Sequence, residues 1–288
     1  MLKYIYYFVG GRMKKEIEGF FAENKIEYFA ALDYRDVRET SPEIMARESF
    51  SPRSVIVFLV PYFVSYPKNL SVYAASLDYH IFIRDISQRL IALMKELYPD
   101  NNFVGYGDHS PIDERHAALI GGLGIAGDSG LFINEKYGSY VFIADLVSDL
   151  SPEELSAEKK EIRSCLHCKK CLLACPTGIL RGEGADCLSA ITQRKGELSE
   201  KEAELMRKCD TVWGCDLCQK VCPYNKTPAV TPIDFFREQR IENLTEEILS
   251  TLSKDEFKAR AFGWRGRAVV ERNLKILSEG KSKINGTY

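Results

Sequence analysis

No cysteine occurs in the first 164 residues of this 288-residue chain, and none in the last 66; all nine lie between Cys165 and Cys222. A disulfide framework belongs to small secreted chains, whereas a confined cysteine block in a longer chain more often binds metal. An excess of one charge is also missing, since 39 basic and 41 acidic residues leave a formal net charge of -2. That excludes nucleic-acid binding by a global positive field and leaves room only for a local patch. Long apolar runs are scarce. The longest, Ser54–Val64, is broken by Pro61 and is about half of the roughly 20 residues that a membrane-crossing helix needs. The opening MLKYIYYFVGGRMKKE has too short an apolar stretch and no small-residue cleavage pattern, so no secretory signal is read and the cytoplasm is the expected compartment.

What is present is an ordinary globular balance, 45% hydrophobic and 28% charged, in a length that fits about two compact units. The first half reads as α+β. Met13, Ile17, Phe20 and Phe21 recur at helical spacing over 12–24, and Ser54–Val60 suits a buried strand. Residues 78–97 form a long amphipathic helix, 103–107 an extended segment and 113–120 a further helix. Leu131–Asn134 and Tyr140–Leu150 read as two strands joined by the polar turn 135–138, giving the sheet antiparallel character. A charged helical connector is expected over 152–163, helices over 242–252 and 267–277, and a frayed terminus from Lys281.

Cys165, Cys168, Cys171 and Cys175, the last followed by Pro176, have the spacing C-x2-C-x2-C-x3-C-P of bacterial 4Fe-4S ligation. Cys215, Cys218 and Cys222-Pro223 form an abbreviated second copy. Zinc also uses paired C-x2-C motifs but does not call for the third and fourth cysteines before proline. In this pattern the fourth cysteine ligates the other cluster. Cys165, Cys168, Cys171 and Cys222 then hold one cluster, and Cys175, Cys215 and Cys218 the other, which is one ligand short. Cys187 and Cys209 are the two candidates. His167, between two ligands, reads as a neighbour of the cluster rather than an iron ligand.

Other motifs are weaker. Gly122, Gly124 and Gly127 match G-x-G-x-x-G, but a helix rather than a strand precedes them, which argues against a dinucleotide site and leaves a turn where backbone closely approaches a planar ligand. Asp108–Arg115 is a dense polar cluster ahead of a helix, which Ser110 or Asp113 would cap. Asp78-x-His80 begins a corrinoid-type D-x-H-x-x-G signature, but Ile83 breaks it.

Together, Ser51–Val57, Asp78-Tyr79-His80, Asp108-His109-Ser110-Pro111 with Glu114, Gly122-Leu123-Gly124 with Gly127, Gly138-Ser139, both cysteine motifs and Trp213–Pro223 resemble the epoxyqueuosine reductase family over roughly residues 50 to 275. The family consists of cobalamin-dependent iron–sulfur enzymes that complete the queuosine modification of transfer RNA. The resemblance implies a nitroreductase-like α+β domain cradling base-off cobalamin (1–155), a bacterial ferredoxin-like domain with two 4Fe-4S clusters (156–230) and a short helical C-terminal tail (231–288). It implies that the clusters reduce cobalt and that Asp108 donates a proton, which calls for a raised pKa supplied by burial. It selects Cys187 over Cys209 as the missing ligand, leaves the role of Cys209 open, and places Phe132 and Ile143, with Gly124 and Gly127, around the corrin.

The resemblance has departures. Asp128 stands where the family has lysine, Asp-His-Ser-Pro replaces Asp-Ser-Ala-Pro, and the Gly-Glu-Met segment before the first strand is missing. The match ends before the family's helical-repeat domain, so the chain reads as a short form, with transfer RNA a less secure partner than the cofactors. Lys258–Arg267 is a basic stretch that contacts phosphates or covers a solvated helix face. The implied activity is reduction of epoxyqueuosine to queuosine, with ferredoxin or flavodoxin as electron donor and no membrane partner. The alternatives are a corrinoid-dependent, dehalogenase-like reductase of a small molecule, or a cobalamin-handling or electron-transfer protein.

Overall fold

The computed structural model describes residues 15–184 and 186–285, with only the backbone over 280–285. Expectations for residues 12–14 and 286–288 lie outside that range. The chain divides into two compact units: residues up to Tyr62 with His80–His167, and Phe63–Tyr79 with the chain from Cys168 onward.

In the first unit, α1 (Lys15–Glu23), β1 (Phe29–Asp33), α2 (Pro42–Met45) and β2 (Ser54–Pro61) are followed by α3 (Tyr79–Leu97), β3 (Phe103–Gly107) and α4 (Glu114–Ile120). The short β4 (Ile125–Ala126) and β5 (Phe132–Ile133) precede β6 (Val141–Ser148). The main sheet has the order β1-β2-β6-β3, every pair antiparallel. All eight positions of β2 are buried, which explains its unbroken Val/Ile/Leu/Phe run where a one-sided strand would alternate. Side chains on one strand alternate faces. Gly105 and Gly107 approach α3 so closely that an added Cβ would meet Ser87 Cβ at 2.6 Å and Ile83 Cγ2 at 2.7 Å. Phe21 of α1 stacks on Phe29 at 4.3 Å between ring centroids, and α4 packs against β2 and β6.

Two expectations need correction here. The turn over 135–138 is closed by an antiparallel bridge between Asn134 and Gly138, but the pairing does not extend into the flanking strands: β5 pairs with β4, whereas β6 pairs with β2 and β3. The buried Asn134 redirects the chain, donating from Nδ2 to Leu123 O at 2.8 Å while its Oδ1 accepts the amides of Lys136 and Tyr137. The connector is not a helix either. A 3-10 turn, Pro152–Leu155, ends at Ser156, whose φ of 51° leaves the helical region, and no helix follows until Lys170.

The second unit holds α5 (Lys170–Ala174), α6 (Leu188–Gln193), α7 (Glu200–Cys209), α8 (Leu217–Lys220), α9 (Asp234–Arg237), α10 (Glu246–Thr251), α11 (Lys254–Lys258) and α12 (Arg267–Asn285). Its core gathers Leu188, Ile191, Met206, Trp213, Phe257, Phe262, Val270 and Leu274. The cysteine loops and the C-terminal helices therefore share one core. Residues 63–79 join them because their backbone pairs with the second cysteine motif. Val212 N donates to Asn69 O at 2.7 Å, and Ser71 N donates to Trp213 O at 2.8 Å. Helix α12 continues to Asn285, so 281–285 are helical where fraying was expected. Among the described residues, no helix is long and apolar enough to cross a membrane.

Candidate functional site

The second unit brings the cysteines of its loops together. All nine cysteines are free. Burial pushes the Cys215 and Cys218 thiols up to about 12, and nearby Cys187 adds to both. Cys209 also acts on Cys215, more weakly than Cys187. Crowded, buried thiols with raised pKa values suit a cationic iron centre, which deprotonates its ligands. Burial also pushes Cys175 up. Hydrogen bonds from the Leu180, Thr177 and Gly178 amides and the Thr177 hydroxyl outweigh it and leave the thiol below its ordinary value. Amide bonds to sulfur are among the devices that tune cluster potentials.

The loop carrying Cys215 is braced on several sides. Gly214 has φ +76°, and an added Cβ would meet Ser71 Oγ at 2.2 Å. Its amide donates to Thr192 Oγ1 at 3.0 Å, and its carbonyl accepts from Thr211 Oγ1 at 2.8 Å. Asp216, buried, accepts the Val72 amide at 2.7 Å. The fully buried Asn273 donates from Nδ2 to Thr192 O at 2.7 Å and Val212 O at 2.8 Å. That one side chain ties the helix following Cys187 to the segment preceding Cys215.

In the first unit, Cys165 donates its amide to Ala126 O at 2.9 Å. His167 Nδ1 lies 2.7 Å from Asp128 Oδ1, and the ligand atoms of Asp128, Cys165 and His167 lie within 4.8 Å of one another. The aspartate that replaces the family's lysine thus engages the histidine of the first cysteine loop.

Asp108 follows β3 at φ +71°, a conformation uncommon for a residue with a side chain. Its amide donates to Glu114 Oε1 at 2.9 Å, and its Oδ2 lies 3.6 Å from His80 Nε2. The Asp108 side chain is 66% exposed in this unit, and two acids near its turn are buried. Burial, helped by the charge of Asp145, pushes Glu114 up to about 8. Burial alone pushes Asp145 up to about 7, against the nearby Ser110 hydroxyl. Neither Asp145 oxygen has a hydrogen-bond partner of good geometry. Asp113, not Ser110, caps α4, accepting the His116 amide at 3.0 Å. Asp145 was not legible as a functional residue, although a carboxylate inside an apolar strand was the available signal.

A groove of about 380 Å³ beside this turn is lined by His80, Ile83, Arg84, Phe103, Tyr106 and His109, among others. Ser87 also lines it, with its hydroxyl buried and unpartnered. This mixed lining of apolar side chains, polar side chains and one unpartnered hydroxyl suits one edge of an amide-fringed macrocycle such as cobalamin. Three of the expected corrin-lining residues lie together elsewhere in the unit, with Gly124 against the Phe132 ring. Phe132 and Gly127 line a second cavity of about 320 Å³, and Ile143 lines neither. Gly124 and Gly127 have a packing reason: a Cβ at Gly124 would meet Ile133 O at 2.3 Å, and one at Gly127 Leu131 O at 2.9 Å. The G-x-G-x-x-G turn follows α4, which removes the dinucleotide reading. In the basic stretch, Arg260 donates to Gln239 O, and Arg267 to Leu249 O and Leu252 O. These two arginines are engaged with backbone carbonyls.

The fold and cysteine site define an iron–sulfur protein in which an α+β unit is coupled in one chain to a two-cluster domain. The family model of the 4Fe-4S double cluster binding domain matches residues 164–225. An epoxyqueuosine reductase of Listeria monocytogenes is 29% identical over 289 residues, covering 90% of this chain and 72% of that protein. One of Cyclobacterium marinum is 30% identical over 227 residues, covering 74% and 70%. The chain belongs to the epoxyqueuosine reductase family. It spans 57% and 53% of the lengths of the Lactococcus garvieae and Bacillus anthracis relatives. A crystal structure of an epoxyqueuosine reductase with a tRNA-Tyr epoxyqueuosine-modified stem loop has the same fold, with a TM-score of 0.74, 21% identity and coverage of 92% of this chain and 80% of that one.

Proposed function

We propose that this chain reduces epoxyqueuosine to queuosine in transfer RNA. Removing the epoxide oxygen as water to leave a carbon–carbon double bond consumes two electrons and two protons. The observation that carries the reading is the Asp108 turn: an accessible carboxyl, fixed by its own backbone, in a chain of this family that also has a two-cluster domain. Asp108 is the proton donor, with His80 close enough to orient its carboxyl.

Cys165, Cys168, Cys171 and Cys222 would hold one 4Fe-4S cluster, and Cys175, Cys187, Cys215 and Cys218 the other, each supplying one-electron transfer. The influence of Cys187 on both Cys215 and Cys218 supports choosing it over Cys209. Base-off cobalamin, when bound, supplies strongly reducing metal chemistry that side chains lack, and the groove beside His80 and Tyr106 would hold one edge of it in a nitroreductase-like domain. The tRNA-bound relative supports transfer RNA as the substrate carrier. A low-potential carrier such as ferredoxin or flavodoxin fits as electron source, and the cytoplasm as compartment.

The test compares wild type with Asp108→Asn, both loaded anaerobically with iron, sulfide and cobalamin and given an epoxyqueuosine-containing stem loop and a chemical reductant. Unchanged cofactor content and reduction with loss of at least about 100-fold in product formation, in the range of general acid catalysis, supports the assignment. Equal product formation by the variant removes Asp108 from the chemistry.

A further inference from the structure

The acid pair behind Asp108 is left unused by the reading above. Glu114 begins α4, and its carboxylate closes the loop from the end of β3 by accepting the Asp108 amide at 2.9 Å. Asp145 lies in β6 directly across from Tyr106 of β3 and Val57 of β2. It is fully buried, with both carboxyl oxygens unpartnered. Arg38 and Arg115 face Asp113 and His80 faces Asp108, while the other groups acting on the pair are neutral or acidic. These are Tyr106 on β3, Asp108 and Ser110 on the loop, Asp113 at the helix cap, and Tyr34 on the turn after β1, whose hydroxyl donates to Glu39. No cation is among the groups acting most strongly on either acid. Burial raises both acids, and the charge of Asp145 raises Glu114 further, so Glu114 ionises only well above the ordinary carboxylate range.

Resting on the proposed role of Asp108, we propose that Glu114 is a positioning residue whose carboxyl, accepting the Asp108 amide from the start of α4, holds the turn that presents Asp108 and grips it harder when ionised. The left-handed backbone at Asp108 is strained for a residue with a side chain and persists only where its surroundings fix it. The Glu114 bond is the contact that does so from the helix side. An ionised acceptor makes a stronger bond than a neutral one, so pH tunes the turn without titrating Asp108 itself.

The test is amide hydrogen exchange of the peptide containing Asp108 in the intact chain, corrected for the intrinsic pH dependence of exchange and followed from pH 6 to 9. Protection in wild type rises as Glu114 ionises. Glu114→Ala speeds exchange by about tenfold or more, the scale of one lost charge-assisted bond. Glu114→Gln, which keeps an acceptor, restores protection but removes its pH dependence, and Asp145→Asn moves the rise to lower pH. Turnover on the epoxyqueuosine stem loop follows the same order. Unaltered exchange in Glu114→Ala, or Glu114→Gln no better than Ala, overturns the proposal. Exchange behaving as expected while no stem-loop product forms leaves the latch standing and removes the substrate reading instead.

Discussion

Replacing Asn273 by alanine tests how the cluster loops are held. The wild-type amide donates to two carbonyls, Thr192 O and Val212 O, at a position with no solvent exposure. A buried acceptor left unsatisfied costs about 1–3 kcal/mol. Arg272 Nη2, 3.5 Å from Thr192 O, can recover part of one bond. The expected loss is about 2–5 kcal/mol, which at about 2–4 °C per kcal/mol for a domain of this size lowers the melting temperature by roughly 5–15 °C. Thr192 ends the helix that begins after Cys187, and Val212 precedes Cys215 by three residues. Iron content should therefore fall with stability, towards that of a chain holding one cluster. The assay is anaerobic thermal unfolding of the loaded protein, with iron measured per chain before and after gel filtration. A melting temperature within about 2 °C of wild type with full iron content would show that Asn273 does not tie the two ligand segments together.

Three further outcomes follow from the structure. Cys187→Ser should lose one cluster's spectroscopic signal while Cys209→Ser keeps both; the reverse result would exchange their roles. Gly214→Ala should destabilise the second unit and lower iron retention, because the new methyl meets Ser71 and the φ of +76° disfavours any side chain; normal expression and full iron would contradict it. Asp145, pushed from its ordinary 3.8 to about 7, binds its proton more tightly folded than unfolded. Its contribution is fully favourable below about pH 4 and is lost as pH rises through 7, up to about 4 kcal/mol. Unfolding measured from about pH 4 to 8 should show stability falling up to about pH 7 in wild type and a flatter profile in Asp145→Asn; parallel profiles would refute this.

The clearest parts of the fold in the sequence were those where local chemistry and tertiary context agree. The apolar run of β2, the periodic α3 and the C-x2-C-x2-C-x3-C-P spacing each needed no distant partner to be read. The turn over 135–138 was legible, but the divergence of its strands was not, because Asn134 donates to Leu123 O, a contact that no strand pattern encodes. Charge density over 152–163 resembled a helix, but Ser156 turns left-handed and ends it. Strand β1, Phe29–Asp33, went unread because all but its last residue are buried and no alternation marks it. Asp108 was legible through family resemblance, whereas its backing by Glu114 and Asp145 depends on β6 and α4 meeting behind β3. Of the four basic residues in the stretch Lys258–Arg267, Arg260 and Arg267 donate to backbone carbonyls, a use that composition cannot distinguish from binding.

The most direct measurement of the central claim is nucleoside mass analysis of an epoxyqueuosine-containing transfer RNA after anaerobic incubation with the reduced protein carrying both clusters and cobalamin. Conversion to queuosine, with loss of one oxygen per modified nucleoside and dependence on added cobalamin, is the predicted result. An unchanged modified nucleoside, with clusters and corrinoid fully loaded and reduced, would contradict it.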